Sequence, residues 1–255
     1  MSTVHKRCKK IAEYVAYTDG ACKNNNRHDN AVPSKSIRSA GCGFVIFKKN
    51  EHIDAALTDI CVMRKSSTNS LSHHRRQLAN GLAPFVGSIC CAVPLPTPVD
   101  LPHKVSNNRA ELYAFNCVLS HFLASHEARL NSGISLSITI KTDSEYVLKV
   151  FSGARSWQHN RYKLQSGTVA KNVDYVKEML KFVDALQMLG HTLTVLHVPA
   201  HQQEIDCDTN DTAKWIDWFG NDVADRLSNV ATGIVDDINY TSLRPSKSRK
   251  RKRKK

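Results

Sequence analysis

Nowhere in its 255 residues does the sequence run through about 18 consecutive apolar positions, so no segment has the pattern of a membrane-spanning helix. The opening stretch MSTVHKRCKKIAEYVAY has bases but no uninterrupted apolar run, and no signal peptide is expected from it. Eight cysteines are present, yet none forms a C-x-x-C pair and no short Cys/His array has zinc spacing, so no structural zinc site is expected. Internal repeats are missing too, which excludes an architecture of uniform repeats. Acids are absent from both ends: residues 1–10 hold Lys6, Arg7, Lys9 and Lys10, and residues 244–255 hold nine Lys or Arg. Of 36 bases and 23 acids, net +13, residues 11–243 therefore keep 23 of each sign. A neutral body with cationic ends suggests that the ends supply any long-range attraction to a polyanion such as nucleic acid.

What is present is enough for one sizeable globular domain or at most two small ones, since 41% of residues are hydrophobic and 23% charged. These proportions exclude a disordered or fibrous chain. A soluble, intracellular protein with reduced thiols is expected, nuclear or cytoplasmic, with the basic tail favouring the nucleus.

Along the chain, Ile11–Thr18 alternates as a strand does, and Gly41–Phe47 (GCGFVIF) is a second run of strand formers. Residues 48–106 break the pattern, with Arg64–Arg76 charged and Ser/His-rich, a short apolar piece at Ser88–Val93, and prolines at 94, 96, 98 and 102. From Asn107 the spacing of Leu112, Phe115, Val118, Leu119 and Phe122 is helical. Ile134–Ile140 returns to a period of two. Ser144–Phe151 and Val173–Leu189 are amphipathic at helical spacing, His191–Val198 reads as a strand, and Trp215–Ala231 as a last helix. Strands first, then alternating helices and strands, predict an α/β fold in which one mixed sheet is flanked by helices. The organisation expected is a basic extension over 1–10, a folded domain over 11–238 interrupted by an insertion at about 49–105, and a basic, disordered tail over 239–255.

Three acids stand where chemistry competes with structure. Asp19 follows the strand Glu13–Thr18 and precedes Gly20; Asp143 follows the strand Ile134–Lys141; Glu111 faces inward on the first turn of a helix. Turn chemistry explains each Asp and dipole complementarity explains the Glu when they are taken singly. As a set they are less easily explained, because adjacent strands ending in Asp bring carboxylates together, a repulsive arrangement unless a dication or a shared proton offsets it.

Four segments, in order, resemble the type 1 ribonuclease H family, which cuts the RNA strand of RNA–DNA hybrids: Tyr17–Cys22 (YTDGAC), Asn107–Leu112 (NNRAEL), Thr142–Val147 (TDSEYV), and His197–His201 (HVPAH) with Gly220–Leu227 (GNDVADRL). The resemblance implies a ribonuclease H-like mixed sheet of five strands. It also implies a nuclease in which Asp19, Glu111, Asp143 and Asp225 hold two Mg²⁺ ions, with Mn²⁺ as a substitute, giving 5′-phosphate and 3′-hydroxyl ends. Of the pair Asp222 and Asp225, the family pattern assigns Asp225 to the metal, leaving Asp222 as a first-turn acid and Asn221 as an N-cap. His201 matches the residue that positions the attacking water or helps product release. Asn107, Asn108 and one or more of Asn24, Asn25 and Asn26 match positions that sense 2′-hydroxyls, and Ser106 and Asn172 match positions that hold a DNA-strand phosphate. Glu145 stands where Gln is common, and Ala200 where Gly is usual.

Two departures from the pattern matter. Asp19 and Glu111 are 92 positions apart, so most of 49–105 is an insertion, and Trp157–Asn172 lacks the basic, Trp-containing protrusion many members use to grip hybrid. Grip is expected instead from Arg64, Lys65, Arg75, Arg76 and the run Lys247–Lys255, which also fits an import signal or simple solubilising charge. The loop Gln202–Trp215 carries Glu204, Asp206, Asp208 and Asp211, which either perturb the metal site electrostatically or solvate the loop, the second reading being favoured. The expected partner is an RNA–DNA hybrid, with no membrane and no obligate protein partner. A DNA-acting nuclease or transposase of the same fold, or an inactive hybrid- or RNA-binding module, are the competing readings.

Overall fold

The computed structural model describes residues 10–22, 40–49, 89–94, 105–127, 134–200 and 212–232. Their sheet has, from edge to edge, the strands Ile89–Pro94, Ala40–Lys49, Lys10–Cys22, Ile134–Thr142 and Thr192–His197. Four strands are described with side chains, namely β1 (Lys10–Cys22), β2 (Ala40–Lys49), β4 (Ile134–Thr142) and β5 (Thr192–His197); β3 (Ile89–Pro94) is placed by its backbone pairing with β2. β1 pairs antiparallel with β2 and parallel with β4, and β5 runs parallel to β4, so the sheet is mixed. Among the described residues four helices accompany the sheet: α1 (Asn107–Glu127), α2 (Glu145–His159), α3 (Val173–Met188) and α4 (Thr212–Ala231).

The helices divide between the two faces because the strands are apolar on both. Tyr14, Ala16, Phe44, Ile46, Leu136, Ile138 and Ile140 pack on one side against α1, α2 and α3, where Leu112, Phe115, Val118, Leu119 and Phe122 form the buried stripe that their spacing predicted. On the other side Tyr17, Val45 and Phe47 meet Val223, Ala224 and Leu227 of α4. Ser106 caps α1, its carbonyl and hydroxyl both accepting from Arg109 N–H at 3.1 and 3.3 Å. Ser144 caps α2 through Val147 N–H, 3.3 Å from its hydroxyl. The buried guanidinium of Arg109 makes a two-armed ion pair with Asp174, tying α1 to α3.

Several boundaries differ from those expected. β1 does not stop at Thr18 but continues to Cys22, because Asp19, Gly20 and Ala21 stay in register with Gly43, Cys42 and Gly41 of β2. α2 extends eight residues past Phe151, carried by buried Ala154 and by Trp157 packed on the core. α4 begins at Thr212, three residues before the expected Trp215, so that Asn221 and Asp222 lie in mid-helix and not at its opening. Asn221 is therefore not an N-cap, and Asp222 does not complement a helix dipole, whose influence ends within the first turn. Asp222 instead pairs with Arg226, 2.8 Å away at i+4.

No described helix is long and apolar enough to cross a membrane. His201, Asn24, Asn25 and Asn26, the cations Arg64, Lys65, Arg75 and Arg76 of the insertion, Lys6, Arg7 and Lys9, the basic residues of 244–255, and the acids Glu204 to Asp211 lie outside the described residues, while Lys10 opens β1.

Candidate active site

Strand register brings the first two carboxylates side by side. Thr18 of β1 pairs with Thr142 of β4 in a parallel ladder, so Asp19 and Asp143, one residue further along each, occupy neighbouring positions on the same face of the sheet. Asp19 is an in-strand residue, not a turn residue as its neighbour Gly20 suggested. Gly20 has a different duty: a Cβ there would sit 2.1 Å from Glu111 N and 2.3 Å from the Ala110 carbonyl carbon. Only glycine lets α1 lie that close to β1, and this proximity delivers Glu111. Glu111 is the fifth residue of α1, past its first turn, so dipole complementarity does not account for it.

One oxygen each from Asp19, Glu111 and Asp143 lies within 4.8 Å of the others, with Asp19 and Glu111 buried. Asp225 of α4 lines the same cavity of about 380 Å³, together with Asn107, Asn229, Cys22 and Ala200. The residue after Ala200, His201, lies outside the described part of the chain.

Crowding of acids in a dry site disfavours their charged forms. Burial, and then the charges of Asp143 and Asp225, push the Asp19 carboxyl up to about 7, against the opposing pull of the Ser228 hydroxyl and the Gly20 N–H. Burial foremost, then Asp19 and Asp143, raises Glu111 well above the usual carboxylate range.

Each carboxylate nevertheless has a neutral donor. Ser228 Oγ donates to Asp19 Oδ2 at 2.6 Å, Asn107 Nδ2 to Glu111 Oε1 at 3.0 Å, Asn221 Nδ2 to Asp143 Oδ2 at 3.4 Å, and Asn229 Nδ2 to Asp225 Oδ1 at 2.9 Å. Neutral donors orient acids without cancelling their charge. Glu111 Oε2 is buried with no hydrogen-bond partner among the described residues. A cluster of hard oxygens carrying excess negative charge, one of them buried and unsatisfied, fits a divalent cation such as Mg²⁺.

Asn221 reads from the sequence only as an N-cap, and Ser228 and Asn229 were not picked out, although a signal was there. On a helix that offers Asp225 to a site, positions three and four residues on share its face, and these are Ser228 and Asn229.

The remaining expected contacts are more scattered. Asn107 lines the cavity, whereas Asn108 is exposed. Ser106 caps α1, its Oγ accepting from Arg109 N–H, a role that leaves the hydroxyl proton to donate elsewhere. Asn172 precedes α3 with φ of 56°, and its Nδ2 donates to the Tyr146 hydroxyl at 2.9 Å. Glu145 is exposed in the first turn of α2.

Two anchors fix α4 over the sheet. Tyr17 Oη donates to Asp217 Oδ1 at 2.6 Å, and Lys141 Nζ, from the strand position paired with Tyr17, approaches the same oxygen at 2.5 Å. Burial, then the hydrogen bond to Asp217, raises the Tyr17 phenol far above its ordinary range, so it stays a donor.

No curated protein matches the chain. Among solved structures, that of the foamy viral protease-reverse transcriptase with dsDNA is 19% identical, with a TM-score of 0.46 over 87% of this chain and 95% of that one. LC9-RNase H1, a type 1 RNase H with the type 2 active-site motif, is 16% identical with a TM-score of 0.49, over 88% and 73% of the two chains. The PFV RNase H domain is 18% identical with a TM-score of 0.46, over 88% and 97%. The family model of RNase H matches residues 93–232, a span that begins after β1 and β2 and takes in Glu111, Asp143 and Asp225. Because that match covers more than half of the sequence, the chain belongs to the RNase H family.

Proposed function

We propose that the protein hydrolyses the RNA strand of RNA–DNA hybrids, with Asp19, Glu111, Asp143 and Asp225 as the ligands of two Mg²⁺ ions. The observation that carries this reading is the meeting of three carboxylates within 4.8 Å, buried or half-buried, on a cavity that Asp225 also lines. Unneutralised, such a set is repulsive; with dications it becomes favourable. Ions bound there would supply positive charge to the phosphate, the attacking water and the leaving 3′-oxygen.

The chain's own contribution is placement. β1 and β4 hold Asp19 and Asp143 on neighbouring rigid strands, Gly20 admits the helix carrying Glu111, and the Tyr17–Asp217–Lys141 cluster seats the helix carrying Asp225. No side chain is called on as a covalent nucleophile. Asn107, on the cavity wall, is of the short neutral type that senses 2′-hydroxyls in the wide minor groove of a hybrid. Phosphate contacts are assigned to Ser106 and Asn172, and His201 is assigned a part in handling the attacking water. The structural relatives add context: the foamy viral enzyme was also solved with an RNA/DNA hybrid, as was LC11-RNase H1.

The test is cleavage of an end-labelled hybrid in Mg²⁺ beside duplex RNA and duplex DNA. Loss of the RNA strand alone, leaving 5′-phosphate ends, is the expected result. Cutting of duplex DNA, or binding of hybrid without any cutting, would overturn the reading in favour of a DNA-acting relative or an inactive module.

A further inference from the structure

We propose that Ser228 is a positioning residue that presents Asp19 to metal, an inference that rests on the two-ion reading above and assigns a role to a residue outside the four carboxylates. Ser228 is fully buried, and its hydroxyl lies 2.6 Å from Asp19 Oδ2 across the gap between α4 and β1. The same oxygen lies 2.8 Å from the Asp225 carbonyl, the partner a helical serine ordinarily chooses three residues back. A hydroxyl has one proton, so these two acceptors compete. The carboxylate is nearer and, when ionised, makes the stronger charge-assisted bond, so the proton goes to Asp19. One Asp19 oxygen is thereby fixed, and the carboxylate cannot turn both oxygens toward the helix or away from the cavity.

Of the four neutral donors in the site, Asn107 and Asn229 serve an acid on their own helix, whereas Ser228 and Asn221 cross from α4 to the sheet. The crossing at Ser228 is much the shorter, 2.6 against 3.4 Å. It also sits one helical turn beyond Asp225, so a single backbone segment sets the placement of one acid and the orientation of another.

The sequence makes room for this contact. Gly43 is the β2 residue paired with Asp19, and a Cβ there would meet the Ala224 carbonyl oxygen at 2.1 Å and Ser228 N at 2.5 Å. Any other residue would lift α4 off the sheet at the point where Ser228 reaches across. Gly43 therefore sets the depth of α4, and Ser228 converts that depth into a fixed carboxylate.

The experiment uses the full chain and Mn²⁺ alone, titrated calorimetrically without substrate, alongside Mg²⁺ titrations of single-turnover hybrid cleavage. Ser228→Ala should weaken Mn²⁺ binding about tenfold and raise the Mg²⁺ concentration for half-maximal rate to match, with the rate at saturating Mg²⁺ recovering to within a few-fold. Leu227→Ala, buried on the same helix but facing Val45 and Phe47, loosens the packing of α4 without touching Asp19. It should lower Tm and leave Mn²⁺ affinity unchanged. Unaltered Mn²⁺ binding in Ser228→Ala overturns the proposal, and so does an equal loss in both variants, which would reduce Ser228 to a packing residue. If the unsubstituted chain binds Mn²⁺ and Ser228→Ala weakens it, yet hybrid is never cut, the positioning role stands and the hydrolytic reading fails. Failure of the unsubstituted chain to bind Mn²⁺ overturns both.

Discussion

Asp19→Asn should make the metal-free protein more stable at alkaline pH, an unusual outcome for a substitution in a buried position. In the folded state the Asp19 carboxyl is pushed up to about 7 from an ordinary 3.8, chiefly by burial. A raised folded value means that the native state binds the proton more tightly than the unfolded chain does. The contribution is therefore fully present below the unfolded value of about 4 and is lost as pH climbs through about 7. With about 1.4 kcal/mol for each tenfold change in proton affinity, the penalty is about 1.7 kcal/mol at about pH 5 and about 4 kcal/mol at about pH 8. Stability should thus fall by about 2.5 kcal/mol between these two conditions, and Glu111, raised for the same reasons, adds to the fall. Asparagine has the same shape, can still accept from Ser228 and does not titrate, so it removes the Asp19 share.

Urea unfolding of both proteins in chelator, at the two pH values, gives the comparison. The stability of Asp19→Asn relative to the parent should rise by about 2.5 kcal/mol from the acid to the alkaline condition. Adding Mg²⁺ at about pH 8 should stabilise the parent far more than the variant, by about 2.7 kcal/mol at a hundredfold excess over Kd, because the ion binds only the folded cluster. A relative stability that does not change with pH would refute the account of a desolvated, mutually repelling cluster. That flat result is also what Asp19 would give if its charge were already compensated in the metal-free protein, with a folded value no higher than the unfolded one.

Asp143→Asn should abolish Mg²⁺-dependent cleavage while leaving hybrid binding in gel shifts nearly intact, since an amide is a poor Mg²⁺ ligand yet repels phosphate less. Asp225→Asn should slow single-turnover cleavage by orders of magnitude; Asp222→Asn, losing only its partly exposed pair with Arg226, should cost about 0.5 kcal/mol of stability and little rate. Deleting residues 244–255 should weaken hybrid binding without changing its sequence preference and flatten the dependence of affinity on salt, as nine phosphate-directed cations are lost. A salt slope that survives the deletion would assign the tail to localisation instead.

The elements were legible where periodicity was strong. The α1 stripe from Leu112 to Phe122 and the alternation of Ile134–Ile140 have one pattern each, and the structure follows them. Legibility failed at element ends, for a reason particular to this site. Asp and Gly are turn residues by local propensity, so Asp19–Gly20 reads as the end of β1; in the folded sheet the ladder to β2 overrides that preference and carries the strand on to Cys22. Asp19 and Glu111, which local chemistry marks as punctuation, are held within elements by the tertiary structure, whereas Asp143 does follow the end of β4 as its sequence suggested.

The same conflict explains α4. Gly220, Asn221 and Asp222 look like the opening of a helix, which conflicts with the helical spacing that begins at Trp215; the structure follows the spacing, with α4 starting at Thr212 and Asp225 on the cavity wall. The structure shows why a glycine is tolerated in mid-helix: a Cβ at Gly220 would sit 2.2 Å from the Tyr17 ring, and that ring must lie there for its hydroxyl to reach Asp217. Glycine at this position costs about 1 kcal/mol of helix propensity, offset by the close seating of α4 on β1. With the helix running through Gly220, one continuous rigid rod carries Asp217, Asn221, Asp225, Ser228 and Asn229, spaced at three or four residues and so on one face. Its anchor at Asp217 and its cavity-lining Asp225 then move as a unit. A helix beginning at Asn221 would have had to place Asp225 from its second turn, with no tie to Lys141 or Tyr17.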